Sequence, residues 1–335
     1  MKIKFGLIGC GNIGKRHAQH IQNHQEGNIT GVFDIDIEKG LTLANKYNSK
    51  HCKSFDELLN LDVDIVNICT PNGLHAEHAI KCLKAKKHVL VEKPMALSTY
   101  DCEQMLHTAL ENNKQLFVVK QNRYNPPVVA LKKLLLEKKL GKIYMVVVNC
   151  FWNRNKDYYE SSDWKGTLSL DGGTLFTQFS HFVDILYYLF GDVTSVSGKT
   201  INANHQRLIE FEDSGVLSFK LSNGAIGSLN YTTSSFKNNM EGSILVFSEK
   251  GTIKIGGQYL NTIDYQNVDF NPIEIEDNIG RPNNYGTYQG SMSNHDKVID
   301  NVINTLNGKS SIMTNALDGL KVVSIIEEMY NKIKH

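Results

Sequence analysis

Apolar positions in the first 120 residues fall into short runs separated by stretches of helical spacing. The runs at 3–8, 29–33, 65–69, 88–91 and 115–119 predict strands. Between them, 14–23, 37–47, 54–59, 73–85 and 99–112 repeat apolar residues every three or four positions, the period of a helix with one buried face. Strands that alternate with helices imply crossover connections and hence a parallel sheet covered on both sides. Past residue 120 the pattern changes. Asn125-Pro126-Pro127 breaks the chain before an amphipathic helix over 128–139, whose lysines read as a solvated face. From 142 onward apolar and polar residues alternate, as half-buried strands do. The stretch 209–219 is expected to form a hairpin around Asp213-Ser214-Gly215, and Ser222-Asn223-Gly224 marks a second turn leading into 225–236. Residues 170–184 read as a glycine turn opening a helix on which Thr177, His181 and Asp184 share one face, and 315–333 reads as an amphipathic helix.

The expected fold is therefore α/β: a doubly wound parallel sheet over 1–120, then an α+β domain over 121–335 with a large, mainly antiparallel sheet. The final helix is free to pack back on the first domain. A length of 335 residues suits two such domains. With 41% apolar residues, 21% charged residues and a net charge of +1, the chain carries no bulk field to attract nucleic acid or an anionic membrane. It has no basic–aromatic element either. Any anionic ligand must then be held by local groups. The six cysteines show no CxxC pair and no His-rich ligand spacing, so they read as reduced core thiols of a cytoplasmic protein, without disulfide or metal. No window reaches the roughly 18 apolar residues of a membrane span, and the first residues lack the pattern of a signal peptide.

Candidate chemistry starts at Gly9-Cys10-Gly11-Asn12-Ile13-Gly14, which follows a predicted strand and opens a predicted helix. In a GxGxxG turn the first glycine allows the tight bend, the second lets a pyrophosphate approach the backbone, and the third lets the helix pack on the strand. Asp34, twenty residues past Gly14, stands where a carboxylate accepts from the adenosine ribose and repels a 2′-phosphate, which favours NAD over NADP. Asp36 is an alternative acid, and Lys15 or Arg16 could soften the preference. Ligands of a doubly wound sheet bind outside the carboxyl ends of its strands, which brings Cys69-Thr70-Pro71-Asn72 and Glu92-Lys93-Pro94 to the dinucleotide.

Taken in order, the GxGxxG turn, CTPNGLHAEHAI at 69–80, VEKPMALS at 91–98 and a Gly-Gly helix bearing His181 resemble the Gfo/Idh/MocA family of NAD(P)-dependent oxidoreductases over essentially the whole chain. The blocks 120–128, 158–173, 241–257 and 285–303 are similar to its WlbA/WbpB branch, the UDP-N-acetyl-2-amino-2-deoxyglucuronate dehydrogenases. That resemblance implies oxidation of the sugar C3 hydroxyl of UDP-N-acetyl-D-glucosaminuronic acid to a ketone, in surface-polysaccharide (O-antigen) biosynthesis. Lys93 and His181 are the implied catalytic pair, with His181 as general base and Lys93 on the reacting oxygen, or the reverse. Implied cofactor contacts are Gly9, Gly11, Asn12, Ile13, Gly14 and Asp34, then Thr70, Pro71, Asn72, His75, Glu92, Lys93 and Gln121. Implied substrate contacts are Lys93, Arg123, Tyr124, Tyr158, Trp164, Lys165, Thr177, Gln178, His181 and His295. The aromatic residues Tyr158, Tyr159 and Trp164 read either as a lip over the uracil or as packing. Thr177 stands where the family often has Asp and this branch Asn, which puts the substrate in question. The resemblance also implies a homotetramer and, in some relatives, recycling of the bound cofactor by 2-oxoglutarate. A dehydrogenase of a free sugar or inositol, and a non-catalytic NAD-sensing regulator, are the competing readings.

Overall fold

The computed structural model describes residues 2–275, 282–284 and 288–333. The chain divides into two compact units, Met1–Lys120 with His295–Val323, and Gln121–Asn294 with Ser324–His335. The sequence places one break, after residue 120. In the structure the chain also returns, so His295 belongs to the first unit and the last helix is divided between the two.

The first unit is built on β1 (Ile3–Ile8), β2 (Gly27–Phe33), β3 (Lys50–His51), β4 (Ile65–Ile68), β5 (His88–Val91) and β6 (Leu116–Val118). All five pairings are parallel, in the order β3-β2-β1-β4-β5-β6. Strands β1, β4 and β5 are almost wholly buried, which is why they read as continuous apolar runs rather than alternating ones. The two-residue β3 escaped the sequence reading because its Lys-His pair carries no apolar signal. Helices α1 (Asn12–Asn23), α2 (Ile37–Tyr47), α3 (Phe55–Leu59), α4 (His75–Lys84) and α5 (Thr99–Glu111) connect the strands. Ser54, Asp36 and Ser98 cap α3, α2 and α5 by accepting a backbone N–H three residues on. The strand order reverses between β1 and β4, the position at which ligands of such sheets bind.

In the second unit α6 (Pro126–Leu136) opens on two prolines, suited to a first helical turn that needs no N–H donor. A seven-stranded sheet follows: β7 (Ile143–Phe151), β8 (Val193–Ile201), β9 (Ser214–Leu221), β10 (Ile226–Thr232), β11 (Glu241–Ser248), β12 (Gly251–Gly256) and β13 (Thr262–Val268). Its order is β13-β12-β11-β7-β10-β9-β8, and only β7 and β10 run parallel. The short helices α7 (Lys156–Glu160) and α8 (Thr174–Thr177) and the longer α9 (Ser180–Phe190) come between β7 and β8. Strands β14 (Pro282–Asn284) and β15 (Gln289–Met292) pair with each other, and α10 (His295–Leu306) and α11 (Ala316–Ile333) end the chain.

The turn at Ser222-Asn223-Gly224 joins β9 to β10 as expected, with Gly224 at φ +88. The hairpin expected over 209–219 does not form. The residues before β9 do not pair with it; β9 runs antiparallel between β8 and β10, with Ile201 of β8 opposite Ser214, and 202–213 is a loop. Asp213 fixes that loop by accepting the backbone N–H of Asn204 and the hydroxyl of Ser214. All six cysteines are buried, and none is in a disulfide among the described residues. No helix among the described residues is long and apolar enough to cross a membrane.

Candidate functional site

In the first unit the glycine turn leaves β1 with Gly9 at φ +89, where a Cβ would fall 2.5 Å from the carbonyl oxygen of Cys69. A Cβ on Gly14 would meet the Gly9 carbonyl oxygen at 1.9 Å, so α1 lies directly on the turn. A Cβ on Gly11 would meet nothing within 4 Å. Two glycines are thus demanded by the protein's own backbone, and the middle one faces open space beside the N-terminus of α1. That N-terminus has no side-chain cap, which leaves its N–H groups and dipole for an anion. Asn12 and Ile13 are its first residues.

Asp34 follows β2 and accepts the backbone N–H of Cys10 at 2.6 Å and of Asp36 at 2.8 Å. Asp36, the alternative acid, is engaged otherwise: it caps α2 and pairs with Lys39 at 2.9 Å, a contact that lowers its pKa. The geometry therefore favours Asp34. These features fit a dinucleotide whose pyrophosphate rests on the start of α1 and whose ribose meets Asp34.

Thr70, Pro71 and Asn72 follow β4, and Glu92 and Lys93 follow β5, with a cis peptide between Lys93 and Pro94. His75 is fully buried. Its ring lies 2.7 Å from the Pro94 carbonyl oxygen and 2.9 Å from that of Thr70, so it clamps the two loops together. Both ring nitrogens of this residue, which the sequence expected at the cofactor, face backbone carbonyls. Glu92 is also buried. Its Oε2 accepts the Lys93 N–H at 3.1 Å, and its Oε1 lies 2.6 Å from His17 and 3.6 Å from His295. Burial pushes the Glu92 carboxyl up, but the hydrogen bond with His17 and the nearness of the His295 ring prevail and hold it well below the usual range. His295, expected to meet the substrate, is instead a buried partner of Glu92, packed edge-on against His17. Lys93 is half-buried.

In the second unit Gln121, Arg123 and Tyr124 form a 3-10 turn. Gln121 donates to Ser291 at 2.9 Å. Arg123 is not a cation waiting for substrate: buried, it makes a two-point ion pair with Asp184, Nε to Oδ2 at 2.9 Å and Nη2 to Oδ1 at 2.7 Å, over the Tyr188 ring. The single helix expected after the glycine turn is broken. One turn, α8, ends at Thr177, and α9 starts at Ser180, because Phe179 is fully buried among Trp152, Phe182 and Tyr231 and its N–H returns to Thr174. Thr177 consequently does not continue the His181 face. Its hydroxyl donates to the Asp171 carboxylate, and Asp171 also accepts the Gly166 N–H at 2.7 Å. His181 is buried in the first turn of α9.

Tyr158 and Tyr159 are buried in a cluster with Ile209, so they belong to packing rather than to a lip. Trp164 is half-buried. Gln178 donates to the Tyr158 hydroxyl at 2.6 Å and accepts from Nε of Arg154 at 2.8 Å. Arg154 is the residue that sequence reasoning missed. It follows β7, only 2% exposed, over the rings of Trp152, Tyr158 and Tyr288. Lys165 lies 4.2 Å above the Tyr158 ring, and burial lowers its pKa to about 8. The 285–303 block begins at Tyr285–Thr287, which lie outside the described residues.

Two family models match. "Oxidoreductase family, NAD-binding Rossmann fold" covers residues 3–120, and "GFO/IDH/MocA C-terminal domain" covers 128–254. Among solved structures, the WlbA dehydrogenase from Bordetella pertussis, in complex with NADH and UDP-GlcNAcA, is 35% identical with a TM-score of 0.89, covering 99% of this chain and 96% of that one. The WlbA dehydrogenase from Chromobacterium violaceum, with the same two ligands, is 37% identical with a TM-score of 0.90, covering 99% and 93%. The 2,7-anhydro-N-acetylneuraminate hydratase of Escherichia coli is 30% identical over 263 residues, 76% of this chain and 68% of that protein. Matched from the glycine turn through the second sheet, the chain belongs to the Gfo/Idh/MocA family and is an NAD-dependent oxidoreductase.

Proposed function

We propose that the protein is a sugar-nucleotide dehydrogenase that oxidises the C3 hydroxyl of UDP-N-acetyl-D-glucosaminuronic acid to the 3-keto sugar, in the service of surface-polysaccharide biosynthesis. The observation that carries this reading is the match to two WlbA structures over 99% of the chain, well beyond the cofactor-binding unit common to the wider family. NAD, when bound, supplies the acceptor for the C3 hydride. The chain's part is to hold the sugar and move the hydroxyl proton. His181 takes that proton, as an imidazole near neutrality suits a general base. Lys93, whose N–H is fixed by the ionised Glu92, donates to the same oxygen and stabilises the charge that develops there. The outer face of the seven-stranded sheet, where Val216 and Ile226 stand exposed, is covered in a homo-oligomer of four chains.

The test is to mix the purified protein with NAD and UDP-N-acetylglucosaminuronic acid and follow reduced-nicotinamide absorbance, with and without 2-oxoglutarate. Steady formation or one burst per subunit supports the reading, and turnover only with 2-oxoglutarate adds cofactor recycling. No reduction by the sugar nucleotide, alongside reduction by a free sugar or myo-inositol, transfers the activity to a free polyol.

A further inference from the structure

Arg154 and Lys165 share an unusual situation. Arg154 is buried, and a buried guanidinium ordinarily meets a carboxylate. Among the described residues its partners are all neutral: Gln178 through Nε, and the Asn153 carbonyl and the Asn239 side chain through Nη1. Nη2 makes no hydrogen bond among the described residues. Among the described residues, Lys165 donates only to the Tyr158 carbonyl at 3.3 Å and the Ser161 hydroxyl at 2.7 Å. Both cations lie over the same two rings, Arg154 at 5.3 and 5.2 Å and Lys165 at 4.2 and 5.5 Å from the centroids of Tyr158 and Tyr288. Burial lowers the Lys165 pKa to about 8, and the Arg154 charge adds to the fall. The nearby acid, Asp171, raises it but directs its carboxylate to the Gly166 N–H and the Thr177 hydroxyl. Aromatic faces soften the cost of two like charges held together, but they do not neutralise them.

We propose that Arg154 and Lys165 form a carboxylate-binding subsite that makes this enzyme select a sugar nucleotide carrying a uronic acid over its neutral counterpart. The inference rests on the proposed sugar-nucleotide substrate. Two features favour a carboxylate over the diphosphate. The donors left over, those of Nη2 and the last N–H of Lys165, suit one small group with two oxygens. Gln178, which positions Arg154, stands three residues before His181, so the subsite adjoins the helix start that carries the proposed base, at the sugar end of the substrate.

Calorimetric titration of the NADH-loaded protein tests this, with UDP-N-acetylglucosaminuronic acid, UDP-N-acetylglucosamine and UDP as probes. Wild type is expected to prefer the uronate. Arg154→Gln and Lys165→Met should each weaken the uronate by roughly tenfold to a hundredfold, leaving the neutral sugar nucleotide and UDP unchanged. Lys165→Met keeps the apolar stem over Tyr158 and so guards against a variant that merely misfolds. An equal loss for all three probes assigns the pair to the diphosphate or to packing and overturns the proposal, as does no loss for the uronate. Failure of wild type to bind either sugar nucleotide sinks the proposed function instead. D-glucuronate then decides: binding weakened in both variants upholds the subsite, and its absence in wild type refutes it.

Discussion

Nε2 of His17 lies 2.6 Å from Oε1 of Glu92, joining the first helix of the dinucleotide unit to the turn that presents Lys93. His295 approaches the same oxygen from α10, so one buried carboxylate is served by two imidazoles. Removing the hydrogen-bond partner of a buried polar group costs about 1–3 kcal/mol, and more where the group left behind is a charged carboxylate. His17→Leu is therefore expected to lower the unfolding free energy by about 3 kcal/mol at pH 7, read from urea titrations. Glu92 has a depressed pKa, so the stability it brings is present above its unfolded value near 4.3 and is lost as pH falls through the lower folded value. The gap between variant and wild type should thus close below about pH 4. A gap under about 1 kcal/mol at neutrality would show that His295 suffices.

Asp34 makes a separate prediction about cofactor choice. Its carboxylate is fixed by the N–H groups of Cys10 and Asp36 and repels a 2′-phosphate by charge. Asp34→Asn keeps an oxygen for one of those donors and removes the charge. The NADP-to-NAD affinity ratio, measured by nicotinamide fluorescence, is expected to rise about tenfold, the scale of a like-charge contact near a protein surface. An unchanged ratio assigns discrimination to Asp36.

How much of this was legible in the sequence depended on whether the signal was local. Gly9, Gly14 and Asp34 were readable because a strand–turn–helix fixes their geometry within one stretch of chain. The parallel sheet was readable because its buried strands are apolar throughout, whereas β3 lacked any such mark. What failed was long-range. Nothing near Arg123 announces that Asp184, 61 residues on, will take up its charge, and nothing near His295 announces Glu92. The break between α8 and α9 was hidden because a buried aromatic residue such as Phe179 suits a continuous helix equally well by periodicity. Arg154 stands a few residues after a long alternating strand, but what singles it out is its burial without a carboxylate partner among the described residues.

Lys93 and His181 carry the proposed chemistry, and kinetics separate them from binding. Lys93→Met and His181→Asn should each lower kcat by about 10²–10⁴, the range for a positioned acid or base, while NAD affinity stays within about threefold. Full turnover in either variant refutes that residue's role. If the kcat profile of Lys93→Met still falls on the acid side while that of His181→Asn is flat there, the base is His181; the opposite pattern exchanges the two roles.

Glu212 offers a stability test independent of catalysis. It precedes β9 and accepts the hydroxyls of Tyr330 at 2.8 Å and Tyr231 at 3.1 Å. Burial raises its pKa to about 7, and these two hydrogen bonds only partly oppose the rise. The Tyr330 hydroxyl in turn accepts the Leu175 N–H at 3.0 Å and closes on Gly173, at φ +128, where a Cβ would come within 2.4 Å of it. The carboxyl thus supports the glycine turn that opens α8. A pKa raised in the folded state contributes stability that is complete below the unfolded value, near 4.3, and is lost as pH rises through about 7. Wild type should therefore lose about 2 kcal/mol from this group between pH 5 and pH 8, allowing for its partial exposure. Glu212→Gln retains an oxygen for the tyrosines and cannot ionise. Its stability relative to wild type should rise by that amount over the same interval and level off above pH 8, as read by urea unfolding at each pH. A difference that does not change with pH would mean that Glu212 is already ionised at pH 5, held down by its two tyrosines more strongly than burial holds it up.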